Sequence, residues 1–444
     1  MQTRGHQVGV WGLLISLVLL TLSPSAARAA AIDDIARDYA ELALGALLLN
    51  DPAVEVDAKL APQLAAARST RRDAARIGAD AQRLMARLDA LAKPHDALAD
   101  VRRRSLRARL SALELNMRPV NPALPIEEEV QRRFGFTPRF RPLADYDAVL
   151  QRLEAAMPGE GALTDRIERM RRAAATPPDR IEPVFRAAMA ECRRRTAARM
   201  PLADESVEVQ FVDEATTPAS AQYLGSGRSV IRISRTIPTD VDRLLQHACH
   251  EVYPGHHVHY MAMDRQLYRA RGWPEFGVAI DSDPLVPVAE AVAEYGVGLA
   301  FPVEERIAFE RDVLFPLAGL SMTDEAQWRA YHRARSDLLG ASATIARDVL
   351  TGALDNEGAE QALIRYRLQT PQAAEHTVRM IRGFGSYLIA SDFGWYAVDR
   401  TMRGRDPAEQ WRLLQRLQRE PMLLDDIARL GLLSDRGNVQ AIEH

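Results

Sequence analysis

The sequence predicts a mainly α-helical protein that contains one small antiparallel β-sheet. Residues 32–117 are rich in Ala, Leu and Arg, and their apolar side chains recur at steps of three and four, as at Leu84 and Leu88. That period is typical of amphipathic helices packed in a bundle. Two short segments within residues 207–234 instead alternate β-branched and polar residues, which favours strands. From about residue 289 onward the helical period returns.

A proline cluster ends the bundle, and two further helices follow it. We expect one helix over residues 146–173, which ends before the Pro-Pro pair at 177–178, and another over residues 180–199. Pro201 closes the second helix because proline cannot continue the backbone hydrogen-bond ladder. The prolines of the cluster are Pro119, Pro122 and Pro125.

The predicted sheet lies in the middle of the chain. Residues 207–212 (VEVQFV) and 229–234 (SVIRIS) read as strands, and a Gly-Ser-Gly sequence at 225–227 lies in the connection between them. We expect the two strands to pair in antiparallel fashion. Pro238 with either Thr239 or Asp240 then supplies a helix start, and residues 241–248 carry a helical pattern into the segment that follows.

Residues 1–29 have the pattern of a secretory signal peptide. Arg4 and His6 precede an apolar stretch over residues 8–22, which is shorter than the roughly 20 residues of a membrane-spanning helix, and residues 27–29 fit an A-x-A cleavage site. No cysteine follows the stretch, so a lipid anchor is not expected. Charged residues interrupt every later apolar run. We therefore expect a periplasmic or secreted bacterial protein with no stable membrane insertion after signal cleavage.

The charge distribution argues against nucleic-acid binding, and the chain length limits the number of domains. The 57 basic and 60 acidic residues give a net charge of -3, and the arginines alternate with acids along helical segments rather than forming a stripe. We therefore expect no nucleic-acid binding. About 415 residues remain after a cut at residue 29, which is enough for one or two domains. The oligomeric state stays open.

Residues 250–257 read His-Glu-Val-Tyr-Pro-Gly-His-His and contain the donors of a metal site. In H-E-x-x-H helices, two histidines one turn apart bind zinc and the Glu faces the bound water. The spacing differs here, because His256 and His257 follow His250 by six and seven residues. On an ideal helix a step of six turns through about 600° and a step of seven rises about 10 Å, so neither pair can share one ion.

Pro254 and Gly255 supply the bend that this spacing requires. Proline interrupts the helical ladder and disfavours the helical conformation for Tyr253, and glycine permits unusual backbone angles. An irregular turn here would loop two extra residues out and return either His256 or His257 to the metal. The segment therefore predicts a metal site with restored H-E-x-x-H geometry.

The motif resembles the H-E-x-Y-P-G-H-H signature of the domain-of-unknown-function 885 family, bacterial proteins placed with the gluzincin zinc peptidases. That family carries E-G-W-A-L-Y about 40 residues later, and residues 290–295 read E-A-V-A-E-Y at that distance here. Glu290 matches the leading Glu and Tyr295 the Tyr, whereas Ala and Val replace the Gly-Trp pair. Residues 385–387 (Gly-Ser-Tyr) are similar to the family's Ser-Tyr-x-x-Gly element.

The resemblance implies a zinc ion held by His250, His256 and Glu290. His257 stays open as the alternative to His256, which is the position that the family keeps. Glu251 would act as the general base on a zinc-bound water. Zinc is therefore the expected cofactor.

A zincin-like fold and a hydrolytic function follow from the same resemblance. It implies a helical N-terminal subdomain over residues 30–200 and a zinc-binding catalytic subdomain over residues 201–444. Tyr387, with Tyr295 as the alternative, would stabilise an oxyanion, and strand 229–234 would pair with the substrate backbone at its edge. The expected function is a metallopeptidase that hydrolyses short peptides. The alternatives are a zinc amidohydrolase acting on a non-peptide or modified amide, and a non-catalytic binding protein on the same scaffold.

Glu290 and Glu294 form a carboxylate pair whose role follows from helical spacing alone. Side chains four residues apart face the same side of a helix. Such a pair suits one metal ligand and one carboxylate that orients a ligating histidine. A solvated acidic face is the alternative, but the intervening residues are apolar, which favours burial near a metal.

The remaining histidines and the two cysteines are assigned supporting roles. His247 precedes His250 by one helical turn and is expected to pack against or orient the site, with a role as a metal ligand as the alternative. His259 is expected to line it, and His376 could donate to a substrate oxyanion. We expect Cys249 to be a small buried residue, with a bridge to Cys192 or a metal–sulfur bond as the alternatives.

Overall fold

The computed structural model describes residues 24–118, 124–215, 217–280 and 283–435. The predicted apolar stretch at residues 8–22 lies outside these ranges, as do Pro119 and Pro122. Within them the chain is mainly helical and carries one three-stranded sheet, so the predicted mainly helical class with one small sheet is confirmed.

Four N-terminal helices form a bundle with its own apolar core. The spacing of Ile77, Leu84 and Leu88 places these side chains on one buried face. Tyr268 and Val278, which come from much later in the chain, complete this core. The helices are α1 (Pro24–Asn50), α2 (Ala61–Thr70), α3 (Ala74–Asp89) and α4 (Ala97–Asn116).

Two differences from the sequence-based expectation occur before the sheet. A short helix follows Pro125, and the single helix expected over residues 146–173 is two helices. The break contains Gly159 and Gly161, whose φ angles of 144° and 86° are incompatible with a continuing right-handed helix. The helices are α5 (Ile126–Phe134), α6 (Asp147–Ala156), α7 (Leu163–Ala173) and α8 (Ile181–Ala197).

The sheet is mixed, and the expected antiparallel pairing of the two predicted strands is wrong. The strands are β1 (Ser206–Val212), β2 (Ala219–Gly225) and β3 (Arg228–Ser234), in the order β1-β3-β2. β3 pairs parallel with β1 and antiparallel with β2, because a tight turn at Ser226–Gly227 folds β2 back along β3. β3 is therefore central and offers no free edge. β1 and β2 are the two edge strands, and β2 lies against the helix that begins at His256.

Twelve helices make up the second half of the described chain. Helix α11 packs closely on α18 and on α19, and together with α8 these helices surround the largest apolar core. The helices are α9 (Val241–His247), α10 (His256–Met263), α11 (Val286–Ala300), α12 (Val303–Phe309), α13 (Phe315–Leu317), α14 (Glu325–Asp337), α15 (Ala341–Leu350), α16 (Asn356–Arg367), α17 (Pro371–Phe384), α18 (Tyr387–Met402), α19 (Pro407–Leu417) and α20 (Leu424–Asp435).

Capping residues explain where several of these helices begin. An Asp or Thr directly before the helix accepts a hydrogen bond from a backbone N–H of the first turn, which satisfies a group that the helix leaves unpaired. The capping residues are Asp73, Asp96, Asp240, Asp324, Asp355, Thr370 and Asp406. Of the two predicted start residues, Thr239 and Asp240, the second is the cap.

A disulfide joins Cys192 of α8 to Cys249, beside the first histidine of the motif. The expectation of a free buried Cys249 is therefore wrong, and the bridge that was its alternative is present. Both residues are completely buried in a core that also holds Phe185 and Val252. That core draws on residues from both predicted subdomains, and the boundary at residue 200 stays a prediction.

Among the described helices, none is by itself both long and apolar enough to cross a membrane. The pair Val286–Ala300 and Val303–Leu317, bent by 72°, meets the length and composition criteria only when its two parts are taken together.

Candidate metal centre

The motif folds as two helical segments joined by an irregular turn. α9 continues into a π-helical turn at Ala248–Val252, the helix stops for three residues, and α10 begins at His256. The Gly255 N–H donates to the carbonyl of Cys249 at 3.1 Å, six residues earlier, whereas an α-helix bonds four residues back. The turn thus absorbs two extra residues, at the place where the sequence predicts a bend.

Close backbone packing explains the glycine and the proline of this turn. A Cβ atom on Gly255 would lie 1.7 Å from the carbonyl oxygen of His250, so no side chain fits there. The ring of Pro254 packs against Gly296 of α11, and a Cβ atom added to Gly296 would lie 2.8 Å from Pro254 Cγ. Gln418 donates to the Pro254 carbonyl at 2.7 Å. These contacts fix the turn against the helix that carries Glu290.

His250, His256 and Glu290 bring their donor atoms together. Glu290 Oε2 lies 3.4 Å from His250 Nε2, and its Oε1 lies 3.4 Å from His256 Nε2. The two imidazole rings stand at 89° with centroids 4.7 Å apart, and the three donors lie within 4.8 Å of one another. Zinc–ligand bonds of about 2.0–2.1 Å in a tetrahedron separate ligand atoms by about 3.4 Å. The donor set and its spacing fit a zinc ion.

The charges of this cluster favour a cation. Burial by itself lowers the pKa of His250, but Glu290 and Glu294 outweigh it and hold that pKa well above its usual value. Burial raises the pKa of Glu290, but His256 and His250 outweigh it and hold that pKa well below its usual value. The carboxylates therefore stabilise positive charge at the imidazoles, and a divalent metal ion supplies such charge without a proton.

Glu294 lies beside the other ring nitrogen of His250. Its Oε2 is 3.4 Å from His250 Nδ1 and accepts a hydrogen bond from Gln246 at 2.6 Å. A carboxylate at Nδ1 fixes the imidazole tautomer that leaves Nε2 free for a metal ion. The structure thus places Glu290 and Glu294 on opposite nitrogens of His250.

Glu251 and Tyr387 flank the cluster. Glu251 is 8% exposed, and its charge acts on the neighbouring His250. The Tyr387 hydroxyl donates to Glu290 Oε1 at 3.2 Å. Burial and the charge of Glu290 raise the pKa of Tyr387, so the hydroxyl keeps its proton at neutral pH. Tyr387 therefore offers a hydrogen-bond donor beside Glu290.

His257 is held away from the cluster. It is completely buried, its Nδ1 lies 2.8 Å from Ser229 Oγ, and its Nε2 lies 3.3 Å from a carboxylate oxygen of Glu205. Tyr253 donates to the same Glu205 oxygen at 2.6 Å. These contacts link the motif to the sheet, and of the two candidate histidines only His256 faces Glu290.

Tyr295 lies on another face of α11. Burial raises its pKa to about 12, and the charged groups that act on it are Asp399 and Arg403 at the far end of α18. The structure therefore brings Tyr387, and not Tyr295, to Glu290.

The other histidines take varied positions. His247 is partly buried, and burial with nearby Arg243 holds its pKa well below its usual value. Burial, aided by His256, lowers the pKa of His259 to about 3, so this ring is a neutral lining residue. His376 lies on α17 and forms no hydrogen bond or ion pair with the cluster.

Sequence reasoning missed Gln246 and Tyr260. Gln246 precedes His250 by four residues and hydrogen-bonds Glu294. Tyr260 follows His256 by four residues and stacks on its ring with centroids 5.9 Å apart. Both lie one helical turn from a histidine on the same face, and this periodicity is the signal that could have identified them.

A second group of potential ligands consists of Asp242, Glu310 and His332. It does not fit a metal, because positive side chains already neutralise it. Arg306 bonds both Asp242 and Glu310, and Arg335 lies 2.5 Å from Asp242. This group is a buried ion-pair network.

The fold and the cluster together define a mainly helical protein with a His-His-Glu group suited to zinc. No protein-family model and no curated protein matches the sequence. Among solved structures, the chain is similar to "the putative lipoprotein from Colwellia psychrerythraea", with 10% identity and a TM-score of 0.50 over 86% of this chain and 68% of that one. It is also similar to "a putative lipoprotein of unknown function from Shewanella oneidensis", with 12% identity and a TM-score of 0.48 over 84% and 76%. The first likeness shows a shared fold and nothing about function.

Proposed function

We propose that this protein is an exported zinc-dependent metallopeptidase that hydrolyses short peptides. The observation that carries the proposal is the convergence of His250, His256 and Glu290, whose donor atoms lie within 4.8 Å of one another, with Glu251 directly following His250 in the chain. The resemblance of the motif to the domain-of-unknown-function 885 family, and through it to the gluzincins, supports the same reading.

The mechanism assigns separate tasks to the residues of the site. The chemistry supplied by zinc in such a site is Lewis-acid activation of a carbonyl and of water. Glu251 takes one proton from the attacking water while the water oxygen bonds to the scissile carbonyl carbon. When the C–N bond breaks, Glu251 returns that proton to the leaving amine. Glu294 holds the His250 ring in the tautomer that binds metal throughout.

Tyr387 and strand β2 are the groups proposed to hold the substrate. The Tyr387 hydroxyl keeps its proton, and rotation away from Glu290 would let it donate to the oxyanion that forms at the carbonyl. β2 is the sheet edge beside the π-helical turn and α10, so its backbone could pair with an extended peptide. This assigns to β2 the role that the sequence pattern assigned to β3.

Export is part of the proposal. The N-terminal pattern matches a signal peptide, and the Cys192–Cys249 disulfide is typical of an oxidising compartment such as the periplasm. The lipoprotein description of the Colwellia protein agrees with a location in the cell envelope.

A metal assay combined with a peptide-library cleavage profile tests the proposed function. The purified mature protein should contain about one zinc per chain, as a single three-ligand site implies. Glu251→Gln should retain the zinc and lose peptide cleavage. Glu375→Gln, which changes a carboxylate with 60% exposure on α17, is the matched control and should behave like wild type.

The possible results separate the alternatives. Cleavage of N-acyl compounds without cleavage of any peptide would favour an amidohydrolase on the same site. Zinc binding without hydrolysis of either class would favour a binding protein. Full peptide cleavage by metal-free protein would contradict the mechanism.

A further inference from the structure

A continuous line of polar contacts runs from the candidate metal centre into the protein core. It begins at His250 Nδ1, which lies 3.4 Å from Glu294 Oε2. The same oxygen accepts from Gln246 Nε2 at 2.6 Å, and Gln246 Oε1 accepts from Arg306 at 3.1 Å. Arg306 belongs to the buried ion-pair network of Asp242, Glu310 and His332. The two buried clusters are therefore joined through one glutamine.

The amide of Gln246 has one permitted orientation. An arginine can only donate, so the group facing Arg306 must be the carbonyl oxygen. A carboxylate can only accept, so the group facing Glu294 must be the amide nitrogen. Gln246 is 6% exposed, and water is a poor substitute for either partner at that burial. The two hydrogen-bond partners, Arg306 and Glu294, thus determine the orientation of the Gln246 amide.

Several buried contacts hold Arg306. It is 7% exposed and donates to Glu310 at 2.9 Å, to the Asp242 carbonyl at 3.0 Å and to the Asp242 carboxylate. Trp328 donates to the other Glu310 oxygen at 2.7 Å, which orients that carboxylate. Burial lowers the pKa of Arg306, but Asp242 outweighs it, so the guanidinium stays charged. Gln246 is therefore held by an anchored group.

We propose that Gln246, anchored by Arg306, is a positioning residue that sets the orientation of His250 for metal binding. The proposal rests on the proposed metal site and concerns residues that touch neither metal nor substrate. Without the amide, Glu294 loses the hydrogen bond from Gln246, and its carboxylate can rotate about the side-chain bonds. The His250 ring then loses its fixed partner at Nδ1, and the ligand geometry is less well prepared for zinc.

Metal affinity of Gln246→Leu tests this proposal. Leucine keeps the volume of the buried side chain and removes both hydrogen bonds. Zinc binding to the full chain, measured by competition with a chromophoric chelator, should weaken about tenfold, at the lower end of the loss seen when a ligand's partner is removed. The absorption bands of the cobalt-substituted protein should shift or broaden, because they report the geometry around the metal.

A control variant separates positioning from general destabilisation. Thr344→Val removes a buried hydroxyl that donates to the Arg141 carbonyl at 2.8 Å, on α15. It should lower stability without changing zinc affinity or the cobalt spectrum.

Arg306→Lys gives a second route if Gln246→Leu does not fold. Lysine keeps the charge but cannot reach Asp242, Glu310 and Gln246 together, so zinc affinity should again fall. When both variants fold, the double variant should bind zinc no more weakly than the weaker single variant, because both act on one path. Unchanged affinity and an unchanged cobalt spectrum in either single variant would overturn the positioning role. A wild-type protein that binds no zinc would instead refute the proposed function.

Discussion

Gly255→Ala tests whether the irregular turn is what assembles the candidate metal centre. The added Cβ would lie 1.7 Å from the carbonyl oxygen of His250 and 2.7 Å from that of Cys249. A Cβ essentially never approaches another heavy atom closer than 3.0 Å, so the backbone at His250 and that at residue 255 must move apart by at least about 1.3 Å. Both atoms are backbone, and no side-chain rotation can relieve the contact.

The size of that movement sets the expected loss of metal binding. Metal–ligand distances are held to about 0.2 Å, and a misplacement of about 1 Å costs on the order of 100-fold in a preorganised site. We therefore expect Gly255→Ala to weaken zinc binding at least about 100-fold. The crowding should also lower the free energy of unfolding of the metal-free protein by about 1–3 kcal/mol.

Two glycines on α11, the helix that carries Glu290, provide graded controls. A Cβ on Gly298 meets nothing within 4 Å, so Gly298→Ala should keep zinc affinity and gain up to about 1 kcal/mol from helix propensity. A Cβ on Gly296 would meet Pro254 Cγ at 2.8 Å. The zinc affinity of Gly296→Ala should therefore lie between those of Gly298→Ala and Gly255→Ala. Zinc affinity by chelator competition and urea unfolding measure the series. A Gly255→Ala protein with wild-type zinc affinity would refute the assigned role of the turn.

Two further predictions concern stability. Replacing both Cys192 and Cys249 by Ala removes a disulfide whose cysteines are 57 residues apart in sequence. The free energy of unfolding, measured by urea denaturation, should fall by about 4 kcal/mol. A loss under about 1 kcal/mol would contradict this prediction. Burial raises the pKa of Asp242, but Arg306 outweighs it and holds that pKa well below 3.8. Its ion pairs therefore stabilise the fold fully above the unfolded pKa and lose effect as the pH falls, so the stability gap between wild type and Asp242→Asn should shrink on acidification. A gap independent of pH would exclude that linkage.

The position of the helix break could be predicted from the sequence, but the choice between the two histidines could not. Pro254 and Gly255 mark the break by local chemistry alone. His256 faces Glu290 and His257 does not, because His257 is bound to Ser229 on β3 and to Glu205 before β1. Those partners are distant in sequence, so the residues of the motif alone do not identify them.

The sheet shows the same limit of local reasoning. β1 and β3 are rich in β-branched residues and could be identified, whereas β2 reads Ala-Ser-Ala-Gln-Tyr-Leu-Gly and has weak strand propensity. Missing β2 leaves β1 and β3 as consecutive strands, for which an antiparallel pair is the natural prediction. With β2 inserted as the hairpin partner of β3, β1 joins the other side of β3 in parallel.

Donor identity alone does not choose between the two possible metal groups. His250, His256 and Glu290 offer two imidazoles and one carboxylate, and the second group offers one imidazole and two carboxylates from Asp242 and Glu310. The difference lies in what surrounds them. Arginines pair with the carboxylates of the second group, whereas Glu290 pairs with His250 and His256. Of the two groups, the one with His250 and His256 therefore has a carboxylate paired by histidines rather than by arginine, and Arg306 of the other group anchors Gln246, which hydrogen-bonds Glu294 beside it.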